Sequence, residues 1–555
     1  MTEAHPAQAS GLHAEAVTTA ERCRRIWGDL LHVPEIEDQD DFFVLGGHSM
    51  LATRAMTRLR KELGGVELSA SIIFEHPVFH EFVAGVDTAL GRTARDASPG
   101  IGRTSGPVSL QQEELLRLDA ALGPSPANNV VVLLEIHDRL DIAVLRRALH
   151  RLLNRHPALR TAFRPLDSGF EQTVAPPWPE SGVELVAHDV PGEHGAATRR
   201  IRALLREKHL RPFDLTAGNL LRAQLFRRPD GPDLLACHLH HAAFDGTSGR
   251  VLAGELAEAC GGRRDAAPPP GGTEPDAPGA EPTYVDYAVR QRETLDGLLA
   301  QGRRHWLRTV GDLAADMLEM PRADDRPSRH VRAAARVEGE VLRQIREWAR
   351  ADGATDFVVL AGAVAAALGR LTHRSCLGIG TLLDNRDHSG LERAVGAFAN
   401  STLLAVPVPS HTTPGKIATE VRERLTEARR WADAPLGVLL EEPCGALCVR
   451  PTELVDAVFW FDGPPAAKEE RATVRLADLR EVDARLVDLP FGPGLGISVS
   501  VGRADEVHVS VEYAAPEHGP TAQDVVDRIV TMLRFFSTAP DGAIPAPEDR
   551  PAVVL

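Results

Sequence analysis

Three histidines stand in an otherwise apolar run, Leu234-Leu235-Ala236-Cys237-His238-Leu239-His240-His241-Ala242-Ala243-Phe244-Asp245-Gly246. Imidazole titrates near neutrality and moves protons at working pH, so these side chains are candidates for general acid–base chemistry. Read as a strand, the run puts His238 and His240 on one face and Leu239 and His241 on the other. His238 and His240 could share a metal, but no third ligand accompanies them, and no metal is expected. The bland alternative is a core strand whose histidines are hydrogen-bonded. Gly246 adds backbone room for a substrate beside them.

A second segment with chemical potential is Asp40-Asp41-Phe42-Phe43-Val44-Leu45-Gly46-Gly47-His48-Ser49-Met50-Leu51. Two glycines allow a sharp turn, and Ser49 follows at a helix start. Free N–H groups and the positive dipole end at such a place suit a phosphate. Ser49 is therefore either an N-cap or the attachment point of a phosphodiester.

These residues need scaffolds, and the 555 residues supply more than one. Hydrophobic residues make up 43% and charged residues 25%, the balance of a globular chain. A net charge of −16 argues against nucleic acid as a main partner. The six cysteines are scattered without a C-x-x-C pair, so neither a disulfide framework nor structural zinc is expected. No apolar run reaches the roughly 18 residues of a membrane span, and no signal pattern opens the chain, so a cytoplasmic protein without membrane contact is expected. Residues 1–16 read as a disordered extension. Residues 17–90 carry helical patterning: a helix capped by Thr18 or Thr19 with Cys23, Ile26, Trp27, Leu30 and Leu31 inside, a second from Ser49 to Leu63, a short element at Ile72-Ile73-Phe74, and a last helix with Phe79, Phe82, Val83, Val86 and Leu90 on one face. Residues 91–106 read as a flexible linker. Beyond it strands (Val130 to Leu134, Leu234 to His241, Val455 to Phe461, Ile497 to Val501) alternate with helices (after Asp141, and Phe357 to Leu371), which indicates α/β layers. The Pro/Gly/Ala stretch from Gly261 to Pro282 reads as a bridge, and 539–555 as a flexible tail.

The Ser49 segment closely resembles the L-G-G-H-S attachment motif of peptidyl carrier domains in nonribosomal peptide synthetases, with Phe74-Glu75-His76-Pro77 following as in that family. The resemblance covers about residues 17–90. It implies a small all-α four-helix bundle whose Ser49 carries 4′-phosphopantetheine, installed by a phosphopantetheinyl transferase and charged by an adenylation enzyme acting in trans. The histidine run resembles the H-H-x-x-x-D-G motif of condensation domains. Further segments resemble that family's other motifs in order: Arg155-His156-Pro157-Ala158-Leu159-Arg160, Tyr284-Val285-Asp286-Tyr287 and Val395-Gly396-Ala397-Phe398-Ala399-Asn400. This second resemblance implies an α/β domain of two chloramphenicol-acetyltransferase-like lobes in a V, here 107–275 and 276–538, that joins a carrier-bound acyl donor to an acceptor amine through an amide bond. By the same resemblance the site comprises His241, acting on the amine or the tetrahedral intermediate, with His240, Asp245 and Gly246 in its motif. Asp245 is expected to pair with Arg386, and Asn400 to give structural support.

Two departures stand out. Ser109-Leu110-Gln111-Gln112-Glu113-Glu114-Leu115-Leu116 lacks the arginine and tryptophan usual in the first motif, and Trp431-Ala432-Asp433-Ala434-Pro435-Leu436-Gly437 stands where H-Q-D-x-P-F-E is usual. The rival readings are a carrier–epimerisation pair and a catalytically silent recruitment module. Against them, Thr247-Ser248-Gly249-Arg250 lacks the tryptophan typical of epimerisation domains, and His241 and Gly246 are both retained. No second carrier is visible after about residue 538. The acceptor is therefore expected on a separate carrier protein or as a free amine, with Ser49 holding the donor.

Overall fold

The computed structural model describes residues 18–31, 33, 35–42, 45, 55–56, 58–60, 62–63, 68, 72–93, 102–191, 194–229, 231–261, 282–317, 329–386, 391, 393–463, 474–476, 495–502, 505–515 and 521–545. The chain divides into two compact units, Met1–Ala97 and Ser98–Leu555.

The first unit is helical where it is described. Thr18 and Glu21 cap each other at the start of helix Thr19–Leu31: the Thr18 amide donates to Glu21 at 2.7 Å, and the Glu21 amide donates to the Thr18 hydroxyl at 3.2 Å. Its stripe of Cys23, Ile26, Trp27 and Leu30 is buried. Trp27 is the hub, with ring centroids 4.9 Å from Phe42, 5.2 Å from Phe79 and 5.1 Å from Phe82. Helices Ile72–Glu75 and Phe79–Thr93 complete the described part, and Ala55, Met56 and Leu59 enter the same core. Of the second expected helix, residues 55–56 and 58–60 are helical. Ser49 and the rest of its glycine-flanked segment lie outside the described residues, as do the expected N-terminal extension at 1–16 and the bridge at 262–281.

The strands of the second unit, in chain order, are β1 (Ser105–Pro107), β2 (Asn129–Ile136), β3 (Thr161–Leu166), β4 (Gly169–Val174), β5 (Glu184–Asp189), β6 (Leu221–Arg227), β7 (Asp233–His240), β8 (Arg329–Val337), β9 (Cys376–Leu383), β10 (Asn400–Pro407), β11 (Ala457–Asp462), β12 (Val474–Leu476), β13 (Gly496–Val501) and β14 (Val507–Ala515). They form a five-stranded sheet, β12-β2-β7-β6-β5, a six-stranded sheet, β10-β9-β11-β13-β14-β8, and a small ribbon, β1-β4-β3. Helices Ile142–Arg155 and Gly246–Gly261 share an apolar core with the first large sheet. The Ala-rich helix Asp356–Thr372 is buried along nearly its whole length and packs with helix Ala522–Thr538 on the second. Small side chains let this helix approach its neighbours closely, which is what its composition announces.

The expected boundaries need three corrections. β12 belongs by sequence to the second lobe of the expected division at 275/276, but it pairs with β2 of the first sheet, Arg475 opposite Glu135. A free sheet edge with unsatisfied N–H and C=O groups is what this crossing covers. Both described ends of the expected linker are ordered, and residues 94–101 lie outside the described residues. Helix Phe79–Thr93 runs into its start, and its end is held in the second unit, where the Gly102 amide donates to Asp286 at 2.9 Å and Ser105–Pro107 pairs with β4. Lastly, the tail is packed through Pro545: the Ile544 amide donates to Thr412 O at 2.9 Å, Arg370 donates to Pro545 O at 2.8 Å, and Ile544 is buried.

Candidate active site

Strand β7 stops at His240, directly across from Asn129. The chain then makes a 3-10 turn over His241–Ala243, fixed by the His241 amide donating to Asn128 O at 2.8 Å. Asp245 next starts helix Gly246–Gly261, its Oδ1 accepting from the Ser248 amide at 2.9 Å. Simple strand alternation therefore places His238 and His240 correctly but does not set the direction of His241, which lies in the turn. An Asp followed three residues later by a serine is a helix-start signal, and it pulls the chain out of the strand before parity can act on His241.

The three imidazoles have different surroundings. His238 is buried and bonds Gln224 Oε1 through Nε2 at 2.9 Å, and burial pushes its pKa down to about 3. His240 is also buried; its Nδ1 accepts from the Ala242 amide at 3.3 Å and its Nε2 stands 3.1 Å from Asp119 Oδ2. With Nδ1 accepting, a neutral ring carries its proton on Nε2, the nitrogen nearer Asp119. His241 is half-buried, and its Nδ1 is shielded from water with no hydrogen-bond partner among the described residues. Among the described residues no group of three or more metal-binding side chains is assembled.

Asp245 and Arg386 form the pair expected from sequence. Arg386 Nη2 donates to Asp245 Oδ1 at 2.8 Å and Nη1 to Oδ2 at 2.9 Å, the bidentate arrangement a guanidinium and a carboxylate favour. The pair is almost sealed from water, with side chains 4% and 1% exposed. Asp245 Oδ2 also accepts from the amides of Phe398 and Ala399 at 3.0 Å each, so the histidine turn is tied to the segment before β10. Burial alone would lower the Arg386 guanidinium; hydrogen bonding and charge from Asp245 and Asp384 reverse this and hold it above its ordinary value. Arg386 also lies over the Phe398 ring, 4.4 Å from its centroid. Asn400 plays a separate supporting part: its amide donates to Ala432 O and Ala434 O at 2.7 Å each. Gly246 is exposed, and a Cβ there would meet nothing within 4 Å. No neighbour and no positive φ forces this glycine, so the space beside it is open.

Sequence reasoning missed several supports. The first motif, short of its usual arginine and tryptophan, still works through its polar residues. Ser109 caps helix Leu110–Leu122, and Gln112 Nε2 donates to Ala242 O at 2.9 Å inside the histidine turn. The Ser109 hydroxyl meets Tyr284 at 2.8 Å, and Tyr284 donates to Ala397 O at 2.8 Å. Gly396 is pressed so closely on Tyr284 that a Cβ would come within 2.2 Å of its ring. The capping pattern S-x-x-Q was the available signal for Gln112. Asp119 gave none, because only the tertiary fold brings it to His240. His156 bonds Glu255 at 2.9 Å in a further buried contact; burial would raise the Glu255 carboxyl, but His156, Arg155 and Arg393 hold it below the usual range.

The pattern of the condensation domain matches residues 103–541, which takes in the whole arrangement around His241. The chain belongs to the condensation-domain family. Condensation domains of nonribosomal peptide synthetases are amide-forming acyltransferases, so the domain is an enzyme. Ahead of it, residues 21–86 match the phosphopantetheine attachment site, so a carrier unit for that cofactor precedes the condensation domain. One of the linear gramicidin synthase proteins of Brevibacillus parabrevis is 30% identical over 470 residues, 82% of this chain and 9% of that protein. The chain thus spans about a tenth of that relative. Among solved structures, the first condensation domain of the calcium-dependent antibiotic synthetase superposes with a TM-score of 0.62 at 18% identity, over 80% of this chain and 99% of that one. The epimerization domain from the third module of tyrocidine synthetase B gives 0.59 at 17%, over 79% and 97%. At such identities the likeness concerns the fold. No helix among the described residues is long and apolar enough to cross a membrane.

For the cofactor, the residue chemistry fits: Ser49 offers a hydroxyl that can be esterified by a phosphate, and Phe42 and Met56, on either side of its segment, are buried in one core.

Proposed function

We propose that this chain works in nonribosomal peptide synthesis by passing an acyl group held at Ser49 to an acceptor amine beside His241, forming an amide. Bound to Ser49, phosphopantetheine supplies an acyl group activated as a thioester on a long arm. His241 accepts the proton the amine sheds as its nitrogen attacks, or orients that amine. The C–N bond forms as the C–S bond breaks, and the proton returns to the departing sulfur. His240 is a positioning residue in this reading: it is buried, its Nδ1 accepts from the Ala242 amide, and its Nε2 lies beside Asp119. Asp245 and Arg386 clamp the turn, and Gly246 keeps the approach open. A phosphopantetheinyl transferase, an adenylation enzyme acting in trans, and a separate acceptor carrier or small amine are the partners this scheme requires.

The observation that carries the reading is His241 itself. Its side chain has no hydrogen-bond or ion-pair partner among the described residues, and it sits on a turn held rigid from both ends. Reconstitution tests it: load Ser49 with an aminoacyl group, add candidate amines or acceptor carriers, and follow the products by mass spectrometry. An amide that depends on His241 supports the scheme. The shared fold leaves epimerisation as a second reading, and the same experiment in D2O separates them. Deuterium entering the Cα of the Ser49-bound residue without an added acceptor, and no amide with one, would favour epimerisation.

A further inference from the structure

The ladder between β2 and β7 ends at the pair Asn129 and His240, so strand pairing does not hold the chain beyond it. His241 comes next and needs another support. Helix Leu110–Leu122 supplies it from one face, where Gln112, Leu116 and Asp119 follow each other at helical spacing. Gln112 Nε2 holds Ala242 O. Asp119 lies two turns further on, its side chain 11% exposed, and reaches the start of the turn.

Three contacts and one peptide bond close a circuit there. Asp119 Oδ1 accepts from Asn128 Nδ2 at 2.9 Å. The Asn128 carbonyl accepts from the His241 amide at 2.8 Å. His241 is joined to His240, and His240 Nε2 returns to within 3.1 Å of Asp119 Oδ2. This circuit asks for an acceptor on both sides of residue 119. His240 Nδ1 accepts from the Ala242 amide, so a neutral imidazole carries its proton on Nε2. Asn128 Nδ2 is a donor too, shared between Leu115 O and Asp119. A carboxylate accepts on both oxygens, whereas a side-chain amide must turn its NH2 against one of the two donors. On the same strand the buried imidazole of His238 is held by the neutral Gln224. A carboxylate beside His240 therefore answers a need that burying a histidine does not create by itself.

We infer that Asp119 is a positioning residue for amide formation: lying against His240 Nε2 and accepting from Asn128, it fixes the turn that presents His241. It acts through these two neighbours and not on the reacting atoms. The inference rests on the amide-forming reading of His241.

The test uses the full chain with phosphopantetheine and an aminoacyl group on Ser49, and aminoacyl N-acetylcysteamine thioesters as acceptors. Asp119→Asn should lower kcat about 10–100-fold, the cost of misplacing a group by about 1 Å, with KM for the acceptor little changed. Rates are taken per folded molecule, so lost stability alone does not count. Combining Asp119→Asn with Asn128→Asp moves the carboxylate across the contact and again sets an acceptor against each donor, so part of the rate should return. A second readout needs no turnover: modification of His241 by diethyl pyrocarbonate, followed by peptide mass spectrometry with the exposed His373 as reference. Asp119→Asn should make His241 react several-fold faster, because its shielded Nδ1 opens to solvent as the turn loosens. Wild-type kcat and unchanged His241 reactivity in Asp119→Asn overturn the inference, and leave the condensation reading standing where the wild type forms amide. A double variant no faster than Asp119→Asn overturns it as well. Faster modification of His241 in Asp119→Asn, with no amide from the wild type, keeps the hold of Asp119 on His241 and sinks the condensation reading. Should Asp119→Asn not fold, Asp119→Ser is measured in its place against the same outcomes.

Discussion

The two large sheets of the second unit follow different rules. Around the six-stranded sheet, helices Asp356–Thr372 and Ala522–Thr538 pack Val, Ala, Leu, Ile and Phe side chains against strands of the same kind. The five-stranded sheet has an apolar core as well, but His238 and His240 on β7 meet Gln224 and Asp119, and Gln224 in turn meets His188. That polar layer ends where the histidine turn begins. An apolar layer is held by area and shape, and it tolerates relaxation. A buried polar layer depends on every partner being present, so it fixes geometry at the expense of robustness. The proposed chemistry stands at the end of the second kind.

The sharpest way to break this contrast is to remove one partner from the polar side. Asp245→Asn removes the sealed carboxylate of the bidentate pair, leaves Arg386 only the half-exposed Asp384 as a carboxylate partner among the described residues, and should destabilise by about 3–5 kcal/mol, the range for breaking a buried pair. His241→Ala should change stability far less, since no hydrogen bond or ion pair among the described residues holds that ring. Denaturant midpoints of the two variants decide it, and equal midpoints would remove the structural role of Asp245. On the apolar side, Leu360→Ala in helix Asp356–Thr372 should destabilise by about 2–4 kcal/mol through its cavity. Molecules that remain folded should still condense at the wild-type rate, measured as rate per folded fraction. A loss of rate there would show that the two sheets are coupled.

Titration sharpens the contrast further. Burial lowers His238 from 6.5 to about 3 and also lowers His209, so both rings are neutral in the folded chain at working pH. The unfolded chain takes up protons below about pH 6.5 that the folded chain refuses, so their contribution to stability is present above that value and is lost as pH falls toward the folded values. The thermal midpoint should drop between about pH 7 and pH 5, and His238→Gln should make that drop shallower. A midpoint with the same slope in both proteins would deny His238 this part. The smallest effect is expected for Ser109→Ala, which removes a helix cap and should destabilise by about 1 kcal/mol, seen as a modest shift in denaturant midpoint.

Much of this architecture was legible because its signals are local. The stripe around Trp27, the Asp141 cap and the Ala-rich helix each announce themselves within a single element. The pairing of Asp245 with Arg386 was legible only through family resemblance, since 141 residues separate them. What the residues alone could not reveal depends on tertiary context. β12 is three residues long and pairs far from its neighbours in sequence, and Asp119 looks like an ordinary surface carboxylate until the fold closes around it. Strand parity was carried one residue too far: β7 ends at His240 and His241 begins a turn, so alternation does not set its direction. Gly102 and Ile544 lie in stretches whose composition reads as linker and tail, yet their amides are held, by the Asp286 carboxylate and by Thr412 O.

One measurement bears most directly on the account: amide formation from a donor loaded on Ser49, compared between wild type and His241→Ala. Both proteins should gain the phosphopantetheine and acyl masses equally by intact-protein mass spectrometry. On addition of an acceptor amine or carrier, His241→Ala should form product about 10²–10⁴-fold more slowly, the range for a lost general base. Equal loading followed by near wild-type amide formation in His241→Ala would contradict the assignment of His241 as the catalytic residue.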